Sequence, residues 1–174
     1  MASNSKKYIL TGVILGSIAA VSAGLIALTN LITHEKIKQN ENNKIFAGIS
    51  EIFGENSKIK SEKDLTKYEY TVHYYEVTNK KDKFLGYAFK CEGSNMYGKI
   101  ALLAGFDGTS HNFMSLSLIT NEQTYASTLE DNYIDPLNKD EKGLDDVSCG
   151  ATYGAKLVRD MVNDAGKAAK DLWK

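Results

Sequence analysis

The sequence predicts an α+β protein: one N-terminal transmembrane helix, then a domain with a mainly antiparallel sheet covered by helices. Three observations carry this expectation. Tyr8 to Thr33 contains no charged side chain. Four segments rich in strand-forming residues then follow one another with no helical pattern between them, as an antiparallel sheet requires. The last stretch of the chain repeats apolar residues at helical spacing.

The uncharged run would be about 39 Å long as a helix, longer than the roughly 30 Å hydrocarbon core it has to cross. A removable secretory signal is the competing reading, because Val21, Ser22 and Ala23 resemble a small-residue cleavage site. Apolar residues continue through Leu25, Ile26, Leu28, Leu31 and Ile32, well past the roughly 7–15 residues of a signal core, and this favours a retained anchor. No cysteine follows the run, which speaks against a lipid-anchored form. Lys6 and Lys7 precede the span, whereas His34, Glu35, Lys36 and Lys38 follow it. The excess of positive charge on the short tail places the N-terminus inside. The expected organisation is therefore a cytoplasmic tail over 1–7, a transmembrane helix over 8–33 and an extracytoplasmic domain over 34–174, in a single-pass protein of the cell (inner) membrane. Gly12, Gly16, Ala20 and Gly24 recur every four residues, a strip along which another helix could approach closely.

Beyond the span, Ile37, Ile45, Phe46, Ile49, Ile52 and Phe53 predict an amphipathic helix running to about Gly54. Tyr68, Tyr70, Val72, Tyr74 and Val77 read as one strand, and 84–89, 100–106 and 113–119 as three more. Asp107 and Gly108 lie between the last two, as in a hairpin turn. One face of such a sheet needs cover. The C-terminal helix supplies it through Ala151, Ala155, Val158, Met161, Val162, Ala165, Ala169 and Leu172, with Lys156, Arg159, Asp160, Asn163 and Lys170 on the opposite side. The stretch from Thr124 to Leu144, with the single Pro136, reads as an irregular loop, long enough to suggest a functional role.

Composition narrows the function. The chain has 174 residues, 21 basic against 22 acidic, and a net charge of −1, so one modest domain follows the span and no basic surface recommends nucleic acid as a partner. Cys91 and Cys149 have no metal-ligand spacing. They read as small buried residues, with a single disulfide between them as the alternative. His34, His73 and His111 are scattered, and neither a catalytic triad nor a carboxylate pair can be built from spacing. No catalytic residue and no metal site is expected.

Chemistry concentrates at Asp146, Val147, Ser148, Cys149, Gly150, Ala151 and Thr152, where the loop meets the last helix. Amides and the positive end of the helix dipole there suit a phosphate, Gly150 and Ala151 leave room for a bulky group, and Thr152 offers a hydroxyl that can be esterified. The plainer alternative makes Ser148 the helix cap and Thr152 an ordinary first-turn residue.

This segment resembles the Asp-x-x-(Ser/Thr)-Gly-Ala-Thr pattern at which a flavin transferase of the ApbE type attaches FMN by a phosphoester bond to the final Thr, with Cys149 at the Ser/Thr position. The chain around it is similar to the RnfG/NqrC family of FMN-binding subunits, and more to RnfG, whose chains are the shorter. Leu28 to Thr33 and the helix after it resemble the end of that family's anchor. Gly98 to Gly108 resembles the strand and turn before its flavin pocket, and Glu122, Gln123 and Thr124 fall where it has Glu-Thr-Pro-Gly. Tyr125 and Ala126 stand at the Pro and Gly, and Gly154 stands where the family often has Thr or Ser.

The resemblance implies covalent FMN on Thr152, with Asp146, Ser148, Cys149, Gly150 and Ala151 around the attachment point and Gln123, Thr124 and Tyr125 lining the ring. Asp146 would help present the site to the transferase. The protein would then be an electron-transfer subunit of a membrane-bound Rnf complex of the ferredoxin:NAD oxidoreductase type, coupled to Na+ or H+ translocation. Its partners would be the other membrane subunits, the flavin transferase and membrane lipid. The alternative is a flavin-free, membrane-anchored extracytoplasmic binding or regulatory module, suggested by the changes at Cys149, Tyr125 and Ala126.

Overall fold

The computed structural model describes residues 2–173, without the side chains of 2–7, 31, 32 and 35. The charges of Lys6, Lys7 and Glu35 and the apolar groups of Leu31 and Ile32 therefore lie outside the described side chains. The chain divides into two units, 1–42 and 43–174.

Helix α1 (Ala2–Phe53) makes up the described part of the first unit and enters the second without a break in helical structure. Within it, Tyr8–Asn30 is a 23-residue apolar segment, exposed along its length. As a helix it is about 35 Å long, enough to cross a bilayer. Two of its hydroxyls are satisfied within the helix: that of Ser17 donates to the Val13 carbonyl at 2.8 Å and that of Thr29 to the Leu25 carbonyl at 2.8 Å. That suits an environment without water. Gly12, Gly16 and Gly24 meet nothing within 4 Å of a built Cβ.

The second unit is built on a five-stranded antiparallel meander in the order β1 (Ser57–Asp64), β2 (Thr71–Asn79), β3 (Phe84–Asn95), β4 (Gly98–Asp107) and β5 (Phe113–Asn121). Strand β1 was not expected from the sequence. It is an edge strand whose side chains from Lys60 to Asp64 are all exposed, so it has no apolar alternation to read. Charge keeps such an edge from pairing with other chains, and Lys60 meets Glu76 of β2 at 2.7 Å. Tyr68 and Tyr70 precede β2 instead of belonging to it. Asp107 and Gly108 do begin the β4–β5 connection, but the loop runs on to Asn112, and the Asp107 carboxylate accepts bonds from the Thr109 and Ser110 amides at 2.9 and 2.6 Å.

Both faces of the sheet are covered, not one. On one side Phe89, Cys91, Ile100, Leu102, Ala104, Phe106 and Leu116 pack with helix α4 (Thr152–Leu172) and the segment before it. On the other, Tyr75, Val77, Ala88, Ala101, Leu103 and Ile119 meet Ile45, Ile49 and Ile52 from the end of α1. Small residues set that approach. A Cβ on Gly105 would lie 2.3 Å from the Ile52 side chain, and one on Gly48 would lie 2.9 Å from Leu103.

The stretch expected to be irregular is largely helical. Helix α2 (Ala126–Leu129), a π-helical turn (Glu130–Ile134) and helix α3 (Asp135–Asn138) follow one another directly. Pro136 sits in the first turn of α3, directly after the π turn. Leu129, Tyr133, Ile134 and Leu137 are buried, and these apolar groups fold the segment onto the sheet.

A buried carboxylate ties α4 to the sheet. Asp164 Oδ2 accepts bonds from the Tyr70 amide at 2.9 Å and from the Thr71 amide and hydroxyl, both at 3.1 Å. Removing it strands buried donors at about 1–3 kcal/mol each, so Asp164→Ala should lower the stability of the full chain by about 2–4 kcal/mol in chemical denaturation. Gly105→Ala should cost about 1–3 kcal/mol through overpacking against Ile52. The same denaturation curves test both.

Candidate functional site

At one end of the sheet, the β3–β4 hairpin, the segment after β5 and the start of α4 come together. Main-chain and side-chain bonds hold the first two against each other. The Glu122 amide donates to the Lys99 carbonyl at 2.8 Å and the Thr124 amide to the Tyr97 carbonyl at 2.9 Å. The buried Gln123 side chain donates to the Gly98 carbonyl at 2.5 Å. Gly98 has a φ of +137°, and a Cβ there would lie 2.1 Å from the Glu122 carbonyl oxygen, so only glycine permits this closeness.

A cavity of about 230 Å³ opens between these elements, lined by Tyr97, Gln123, Tyr125, Leu129, Gly150, Ala151, Thr152, Tyr153 and Gly154. No charged side chain is among its lining residues. Helix α4 begins at Thr152 with no side-chain cap. Its first internal bond runs from the Ala155 amide to the Ala151 carbonyl at 3.0 Å, so the amides of Thr152, Tyr153 and Gly154 have no partner within the helix. The helix dipole adds to their positive potential. The Thr152 side chain is half-buried at this point.

Gly150 takes a φ of +82° to turn the chain into the helix. A Cβ at Gly154 would lie 2.9 Å from the Leu129 side chain, so this glycine lets α2 pack against the first turn of α4. One part of the capping alternative is overturned, while Thr152 does stand in the first turn of α4. Ser148 is not the cap, and its carbonyl accepts a bond from the Lys142 ammonium at 2.9 Å.

Of the residues expected at the site, Thr152, Gly150, Ala151, Gln123 and Tyr125 line the cavity. Thr124 does not, but its amide and hydroxyl hold the Tyr97 carbonyl from behind. Asp146, Ser148 and Cys149 stand outside the lining. Asp146 pairs with Lys142 at 3.6 Å, and Cys149 is buried, its carbonyl accepting from Asn132 at 3.2 Å. Sequence reasoning missed Tyr97, Leu129 and Tyr153 and named Gly154 only as a departure from the family's pattern. Tyr153 adjoins the motif and could have been found by position, whereas Tyr97 arrives through sheet register alone.

The two cysteines are free and buried, which answers the disulfide alternative. Desolvation pushes the Cys91 thiol up to about 12, so it stays protonated at neutral pH and is a poor nucleophile. Among the described residues no cluster of metal-ligating side chains is present.

An apolar helix near the N-terminus fits a single-pass membrane protein, and the α+β domain offers a tyrosine-lined cavity with no charged lining residue as its candidate site. Residues 1–52 match the family model of the RnfG N-terminal region, and this match supports an RnfG-type protein. The match likens this first part of the chain to the N-terminal region of RnfG-type subunits and covers less than half of the sequence. No curated protein matches the chain. The family match ends within α1, so the cavity rests on its own geometry.

Two outcomes test this description. Gly150→Ala should destabilise the chain by about 1–2 kcal/mol because a Cβ is disfavoured at positive φ, measurable as a lowered midpoint of unfolding. A thiol-alkylating reagent near neutral pH should leave Cys91 and Cys149 unmodified in the folded chain and label both in denaturant, as read by intact mass.

Proposed function

We propose that the domain carries FMN as a phosphoester on Thr152 and relays electrons within a membrane-bound Rnf complex of the ferredoxin:NAD oxidoreductase type, coupled to Na+ or H+ translocation. One observation carries this reading: half-buried Thr152 lines a cavity at the uncapped start of α4. The residues present fit the group. Three amides without helical partners and the helix dipole suit a phosphate, and no carboxylate lines the cavity to repel one. Tyr97, Tyr125 and Tyr153 offer aromatic surface to a planar ring. Gln123 and Gly154, with no charge of their own, complete the floor.

Thr152 would hold the phosphate through its oxygen, giving up the hydroxyl proton when the transferase forms the bond and the donor's leaving group departs. Gly150 and Ala151 keep bulk away from that oxygen. Asp146 lies outside the cavity with 61 % of its side chain exposed, which suits contact with a transferase. Bound flavin supplies reversible one- and two-electron chemistry, and the protein supplies position and electrostatics. A cavity of about 230 Å³ is small beside the roughly 300–1,000 Å³ of most ligand pockets, so part of the group would stand outside it, open to a partner subunit.

In this reading residues 1–7 are the cytoplasmic tail, 8–33 the transmembrane helix and 34–174 the extracytoplasmic domain, and a covalent bond keeps the flavin where free FMN is not readily replaced. Production with a flavin transferase tests the assignment. The wild-type chain should gain the mass of one FMN less water and show flavin fluorescence on a denaturing gel. Thr152→Ala should lose both and Thr152→Ser should keep them. Covalent flavin retained in Thr152→Ala would overturn the attachment site.

A further inference from the structure

The three cavity tyrosines present an unusual economy of support. Tyr125 and Tyr153 are 54 % and 59 % exposed, so burial does little to fix them, yet specific bonds reach the main chain around them. Asn95 is the centre of that support. Its side-chain oxygen accepts the Tyr97 amide at 2.8 Å, and its side-chain nitrogen donates to the Tyr153 carbonyl at 3.2 Å. One amide group thus joins the β3–β4 hairpin to the first turn of α4, using its acceptor on one side and its donor on the other. The Tyr97 carbonyl is held in turn by the Thr124 amide and hydroxyl at 2.9 and 3.3 Å. Both main-chain polar groups of Tyr97 are therefore engaged while its ring faces the cavity.

The ring spacings decide what such an arrangement can hold. Tyr97 lies 5.4 Å from Tyr153 at 43° and 6.1 Å from Tyr125 at 57°. Inserting a planar group between two parallel rings needs about 7 Å, two contacts of about 3.5 Å each. The tyrosines therefore form a tilted platform with Tyr97 at its centre, not a slot.

We propose that Asn95 is a positioning residue that fixes Tyr97 and Tyr153 as an aromatic platform for the isoalloxazine ring of a flavin held at Thr152. The proposal rests on the reading of Thr152 as the flavin ester. Asn95 touches neither the cavity nor the flavin; it acts through the two tyrosines. The platform is neutral and electron-rich, so it favours a planar, electron-poor ring over an aliphatic or anionic group.

The test uses the full chain, extracted from membranes and loaded by a flavin transferase, with flavin content read by intact mass. A phenol in contact with an excited flavin quenches its fluorescence by reversible electron transfer, so lifetime reports the contact and iodide quenching reports ring exposure. Tyr97→Leu and Tyr153→Leu should raise the flavin lifetime several-fold. Asn95→Ala, and Asn95→Asp, which cannot donate to the Tyr153 carbonyl, should shift lifetime and iodide access in the same direction. Tyr97→Phe should lengthen the lifetime without changing iodide access, and it serves where an Asn95 variant fails to fold.

Loaded Asn95 variants with a lowered melting temperature but wild-type lifetime and iodide access would show a merely structural role and overturn the proposal. An unchanged lifetime in Tyr97→Phe together with Tyr153→Leu would overturn it as well. A wild-type chain that takes up no flavin mass instead defeats the Thr152 reading on which the proposal stands.

Discussion

Strand β4 governs the architecture. Its residues from Ile100 to Phe106 are buried without a break, alternately facing the α4 side and the α1 side. A strand with no polar face has to lie inside the sheet and have helices on both sides of it. Gly105 and Gly48 let α1 close on one side. On the other, α4 lies against β3 and β4 with Asp164 as a deep polar tie. Once those positions are fixed, the start of α4 has only one place to be, beside the β3–β4 hairpin, and the candidate cavity forms where they meet.

The sequence made visible those parts of the fold whose periodicity is strong. The span, the amphipathic end of α1, the apolar strands and the covering face of α4 are each written in repeated spacing of large side chains. Strand β1 was hidden because an edge strand protected by Lys58, Lys60, Glu62 and Lys63 looks like a charged loop. The helices between Ala126 and Asn138 were obscured by their brevity, by Pro136 and by a π turn that interrupts the usual period. A trace remained in Leu129, Tyr133 and Leu137, spaced by four, with the wider turn bringing Ile134 inward as well. The second covering helix was named as an element, but its role against the sheet was not, since a pattern of apolar residues does not state which surface it will meet.

The site was legible in proportion to how local it is. Residues 150–152 sit within one turn and could be read from the motif, and Gln123 and Tyr125 followed from the resemblance. Asp146, Ser148 and Cys149 share the motif yet lie outside the cavity, because the positive φ at Gly150 turns the chain after them, and Cys149 is buried in the core. Tyr97 is distant in sequence and reaches the cavity only through the register that pairs Asn95 with Gly98. Neighbours in sequence and neighbours in space part company at this turn.

The two margins of the sheet are closed by different means. β1 is guarded by charge, whereas β5 is occupied: the Asn138 side chain accepts the Leu116 amide at 2.9 Å and donates to the Leu116 carbonyl at 2.8 Å, and the Lys44 ammonium takes the Ile119 carbonyl at 2.7 Å. A carboxamide standing in for a neighbouring peptide unit occupies, at Leu116, hydrogen bonds that an added strand would need. Association with other proteins is thereby steered away from sheet extension and onto helix faces and loop tips, where recognition depends on side-chain shape and can be adjusted one residue at a time without disturbing the ladder.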